Sequence, residues 1–153
     1  MKTKLNFLCI MLLILMVVGM VIACLAGFSD FQRGYVDGVN ATTSSTSDII
    51  IGLVVLAAFV VYVYAFACFV RFILRVNHGE VFNWTNVDLL RTVGWCIVAT
   101  SIAMCSVISF FDVNLWDTWT DGISIIIGGV FILIMAEVFS IGLKLQEEQD
   151  LTI

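Results

Sequence analysis

Glu137 stands inside the apolar run "LIMAEVFSIG", Leu133 to Gly142, and a carboxylate in such a place binds a proton or a cation, or neutralises a neighbouring basic side chain. Other groups capable of chemistry are sparse. Cys9, Cys24, Cys68, Cys96 and Cys105 all fall in apolar stretches without a C-x-x-C pair, so they read as small packing residues and not as a thiol redox centre. His78 and Glu80 have no second ligand pair at metal-binding spacing. The oxygen-rich segment "DVNLWDTWTD" carries Asp112, Asn114, Asp117 and Asp121, yet it lacks the turn glycine and closing glutamate of an EF-hand loop. No nucleophile, base and orienting group converge by spacing, so the expectation is a non-enzymatic protein with neither cofactor nor metal.

The elements that must carry these residues follow from composition. The chain has 153 residues, 61% hydrophobic and 12% charged, with no proline, and a mean hydropathy of +1.10, which is that of a membrane protein. A hydrocarbon core about 30 Å thick takes about 20 apolar residues per helix. Four such runs occur, from Leu5 to Phe28, Ile49 to Val70, Leu89 to Phe111 and Gly122 to Leu143. Their length excludes barrel strands, and backbone groups in lipid must be paired within the segment. The reading is an all-α integral membrane protein, a four-helix transmembrane bundle forming one domain over 1–153, with helices at about 5–28, 49–74, 86–111 and 122–148. The first connection, "SDFQRGYVDGVNATTSSTSD", reads as a flexible solvated loop, and Trp84, Trp95, Trp116 and Trp119 as interfacial anchors.

Orientation follows from the basic residues. Lys2, Lys4, Arg71, Arg75, Arg91 and Lys144 fall on one side and Arg33 alone on the other, which predicts a multi-pass membrane protein with both termini in the cytoplasm. "VIAC", Val21 to Cys24, also looks like a lipoprotein processing box, in which case Cys24 would become a lipidated N-terminus. The apolar run is about twice as long as a signal's hydrophobic region, which favours a retained helix.

On an ideal helix Gly129, Leu133, Ala136, Glu137, Ser140 and Lys144 share a face, small and polar, expected to point into the bundle. Glu137 would lie about 9 Å from the cytoplasmic boundary, at about 1.5 Å per residue. Its expected partner is Arg71 first and Arg91 second, with Lys144 a further possibility. Two readings follow: an ion pair that fixes helix register, or the proton or ion site of a small coupled transporter. The absence of the prolines that mark broken helices favours the first.

The second connection, "RVNHGEVFNWTNVDLLRTVG", holds a T-x-x-D capping box at Thr85 to Asp88 and predicts a helix starting at about Asn86. "NHGEVF" to "LLRTVG", with Gly79, Phe82, Asn86, Leu90, Arg91 and Gly94, and the closing "MAEVFSIGLKLQEEQDLTI" together resemble the YoaS-like bacterial membrane proteins, catalogued as domain of unknown function 2975. The resemblance extends over the four-helix plan. His78 stands where a lysine is more usual in that family, and Val81 where many members have proline. The family has no established activity; the resemblance implies a membrane partner of a small helix-turn-helix regulator or another cytosolic protein, with no direct nucleic-acid binding. Gly79, Phe82, Asn86, Glu147, Glu148, Asp150 and Ile153 are the expected partner-binding residues. The lipid bilayer is the other partner, and a homo-oligomer through Gly122 to Gly129 is a further expectation.

Overall fold

The computed structural model describes residues 2–40, 46–111 and 115–150. It is all-helical, with α1 over Lys2–Asn40, α2 over Thr46–Asn77, α3 over Trp84–Phe111 and α4 over Leu115–Asp150. Among the described residues, the spans Ile49–Asn77, Trp84–Phe110 and Trp119–Gln149 are long and apolar enough to cross a membrane, and α1 contributes a shorter apolar stretch, Asn6–Ile22. Large apolar side chains such as Leu15, Leu53, Phe59 and Phe131 are well exposed along these helices. A surface of this kind has hydrocarbon as its solvent, and the protein is a helical membrane protein.

Helix ends differ from those expected at all three connections. The first connection, expected as a loop, is mostly helical, because α1 continues to Asn40 and α2 begins at Thr46. Without proline nothing removes a backbone donor there, and Gly34 and Gly38 lower helix propensity without ending the helix. Likewise α4 begins at Leu115, so Asp117 and Asp121 belong to a helix and not to a loop, while Asp112 and Asn114 lie outside the described residues. At 39 residues α1 is about 58 Å long, more than a bilayer's thickness. The start of α3 belongs to the site below.

In the packing order α3 lies between α2 and α4, and α1 packs on α2. Cys9 of α1 meets Ile73 and Val76 of α2, with Leu13, Met16, Phe69 and Phe72 packed around them. Tyr62 and Ser101 join α2 to α3 through a hydroxyl hydrogen bond of 3.3 Å.

The closest approach is between α3 and α4. A Cβ on Gly94 would stand 2.7 Å from Leu133 and 3.1 Å from the Gly129 carbonyl oxygen, and one on Gly129 would stand 2.7 Å from Val98. A Cβ on Gly122 would meet the Cys105 sulfur. Helices that gain no hydrophobic drive from lipid associate by such small-residue packing. Gly122 and Gly129, expected at an interface between copies, are therefore spent inside the chain, whereas Gly128 has nothing within 4 Å of a Cβ. Gly129→Val should lower stability by about 1–3 kcal/mol through overpacking, and Gly128→Val by much less; reversible unfolding in mixed micelles gives the comparison.

Candidate functional site

Most polar contacts between helices collect at the end of the bundle that holds the α2–α3 connection and the end of α4. The connection is built by two caps. Gly79 has φ +91°, the left-handed conformation that closes a helix. The Gly79 amide donates to the Val76 carbonyl at 3.0 Å and the Glu80 amide to the Arg75 carbonyl at 3.1 Å, the paired bonds of a Schellman motif. His78 Nδ1 lies 2.9 Å from the Leu74 carbonyl oxygen, so this side chain finishes the helix end.

The start of α3 is capped by Asn83, whose Oδ1 accepts from the Thr85 amide at 3.0 Å, and the helix begins at Trp84, two residues before the expected start. Asparagine outranks threonine at this position, which is why Thr85 does not serve as the cap. Asn86 then falls at the third helical position, wholly buried. Its Nδ2 donates to the Glu80 and Val81 carbonyls, tying the incoming strand of the connection to the first turn. Oδ1 of Asn86 is buried without a partner among the described residues.

The connection also touches α4. Phe82 packs against Phe139 with ring centroids 6.0 Å apart, and Phe139 meets Phe72 of α2 edge to face at 6.1 Å. A Cβ on Gly142 would lie 3.3 Å from the Phe82 ring, so that glycine admits it. At the rim, Trp84 Nε1 donates to Glu147 Oε1 at 2.7 Å. Glu147 is near the negative end of α4, and this bond sets it at the positive end of α3, where a carboxylate is favoured.

About 10 Å further along α3, at about 1.5 Å per residue, Arg91 holds Glu137 with two bonds, Nε to Oε1 at 3.0 Å and Nη2 to Oε2 at 3.1 Å. Arg71, expected as first partner, is exposed on α2 and takes no part in this pair; Lys144 is exposed as well. Nor does Glu137 point inward. Ala136 is fully buried against the layer and Ser140 nearly so, yet the Glu137 side chain is 61% exposed and that of Arg91 38%. One residue is about 100° of helix rotation, and this turns Glu137 from the packed face to its edge, where the forked guanidinium of α3 meets it.

Of the other expected site residues, Gly79, Phe82 and Asn86 build the connection, while Glu147 and Glu148 lie on exposed helix in the last turns of α4. Asp150 ends α4, and Ile153 lies outside the described residues. Sequence reasoning did not give Asn83 as the cap of α3, nor the Trp84–Glu147 bond; the N-x-x-N spacing of Asn83 and Asn86 was the available signal for the cap. Among the described residues no cluster of three or more His, Cys, Asp or Glu could hold a metal.

The family described as "Protein of unknown function (DUF2975)" matches residues 36–153, and the chain belongs to it. The match covers α2, α3 and α4 and leaves out most of α1, less than the four-helix span of the resemblance. No curated protein and no solved structure matches the chain.

Gly79→Ala should cost about 1–2 kcal/mol from the left-handed backbone alone, and Gly79→Asn less. Asn86→Asp replaces the donor to two carbonyls with acceptors in a buried site, so it should cost more than Asn86→Ala, which leaves those carbonyls unbonded without repelling them. Unfolding midpoints of the four variants in one detergent test both orders.

Proposed function

We propose that this is a four-span, non-enzymatic protein of the bacterial cytoplasmic membrane, with both termini in the cytoplasm, whose α2–α3 connection and α4 end together bind a cytosolic protein. The observation that carries this is the Trp84–Glu147 bond at 2.7 Å, which joins the start of one span to the polar end of another and makes one platform of two sequence-distant segments. Exposed Glu80, Asp88, Glu147 and Glu148 make the outer rim of that platform acidic, while Arg75 and Lys144 stand about one turn nearer the membrane. Such a rim suits a partner with a basic face. A small helix-turn-helix regulator is a partner of this kind, since the basic surface that would meet DNA is the one an acidic platform competes for.

A photoreactive residue at Gln146, in intact cells, should capture one soluble protein, and Glu147→Lys with Glu148→Lys should abolish that capture without lowering abundance. Capture of lipid and of the chain itself only would overturn the proposal. Glu137→Gln separates the clasp from coupled transport. Loss of the carboxylate's charge leaves Arg91 without its counter-charge, and because an unpaired charge costs about 2.5–3.5 kcal/mol at a span's centre and less toward its ends, the clasp expects reduced abundance in pulse-chase. Full abundance with a lost ion flux in vesicles would establish the transporter reading instead.

A further inference from the structure

The layer of α2, α3 and α4 has two faces, and α1 covers only one. Leu90 of α3 and Ile132 and Phe139 of α4 face α1, since they line the same cleft as its Cys9 and Leu12. By helix rotation the other face carries Arg91, Trp95 and Ala99 of α3 and Ile134, Glu137 and Ile141 of α4. A cleft of about 450 Å³ opens on this second face between α2 and α3, floored by small side chains, among them Ala57, Ala58, Cys96 and Ala103.

Two groups on the bare face are poorly matched to lipid. The span Trp84–Phe110 has 27 residues, about 40 Å of helix and so about a whole bilayer with its headgroups, whose hydrocarbon begins roughly 5 Å inside each end. Arg91, about 10 Å from Trp84, lies inside that boundary. Its ion pair nonetheless faces outward, where charged side chains in spans rarely point. Trp95 is also exposed, at 62%, about 16 Å along the helix, and so it lies near mid-span and not in the expected aromatic belt. Its indole N–H has no acceptor among the described residues.

We propose that a second copy of the chain covers this face in a two-fold arrangement, setting Arg91 of each copy against the partner subunit's Glu137. An ion pair is its own complement under a two-fold axis, because the rotation lays cation over anion and anion over cation. The result is a neutral ring of four charges. A different partner would have to bring a matched pair of its own. The bonds within one chain use Nε and Nη2 of Arg91, leaving Nη1 and the remaining carboxylate lone pairs to the second copy. The floor of Ala57, Ala58, Cys96 and Ala103 lets a helix approach closely, and Trp95 supplies the kind of aromatic anchor that interfaces favour. This surface is separate from the acidic platform, and the pairing holds or fails independently of the proposed function.

The full chain, singly labelled and diluted in lipid vesicles, tests this by counting photobleaching steps. Wild type should bleach in two steps. R91E and E137R should each reduce the dimer fraction at least tenfold, and differently coloured R91E and E137R chains mixed before reconstitution should pair with each other. Ala99→Trp crowds the cleft without touching the ion pair, and it should give single steps with native helix content. Single steps from wild type would overturn the proposal, as would dimers indifferent to all three substitutions or reversals that do not recombine. Should the reversals fail to fold, Ala99→Trp decides alone, and two-step traces from its folded form overturn the pairing.

Discussion

The near-contact of α3 and α4 at Gly94 and Gly129 is the constraint on which the rest of this structure depends. Once two backbones pass this close, neither helix can slide or rotate without driving a side chain into the other's main chain. The register so fixed runs the length of the pair. Cys105 meets Gly122, Val98 meets Gly129 and Gly94 meets Leu133, each step along α3 matched by a step backward along α4. Extended toward the α2–α3 connection, the same antiparallel register brings Arg91 to Glu137 and Trp84 to Glu147. The polar contacts therefore report a register that small residues set. They add specificity to it, since a shift of one residue would turn Glu137 away from its arginine by about 100°.

The α2–α3 connection works by a different kind of control. Here the backbone is fixed by local chemistry: a positive-φ glycine ends one helix, an asparagine starts the next, and a buried asparagine ties the two ends together. Few residues are left to move between α2 and α3. Phe82 carries this local order outward to α4 through Phe139, and Phe139 carries it back to α2 through Phe72. Two helices and the connection thus converge on one aromatic cluster at the same end as the acidic turns of α4.

Much of this was legible in the sequence, and the misses share a cause. Long apolar runs and the lack of proline gave helices and the membrane environment, because both depend on composition summed over many residues. Helix ends depend on one or two residues in competition, and there Asn83 displaced Thr85 as cap while Gly34 and Gly38 failed to stop α1. Glu137 was legible as a group needing a cation. Which cation was not, since Arg71 and Arg91 lie at similar depth and only the packing order, with α3 and not α2 beside α4, selects Arg91. The glycines of α4 carried the same ambiguity. A small-residue stripe serves equally between copies and within a chain, and only the position of α3 distinguishes the two uses.

The asymmetry of the layer gives the ion pair its significance. Had α1 packed over Arg91 and Glu137, the pair would be an interior clasp, with its desolvation offset by protein dipoles. Instead α1 packs on α2 and helps line the apolar clefts on the opposite face, where phenylalanine and aliphatic side chains suit either protein or acyl chains. The face that most needs a polar neighbour is thus the one the chain leaves to something outside itself. A bidentate arginine–carboxylate pair limits the cost of that exposure, because each charge is neutralised before lipid is met, but it leaves donors and lone pairs directed outward. Geometry that satisfies a pair only halfway within one chain is an argument about assembly, because a low-dielectric surroundings strengthens whatever interaction completes it.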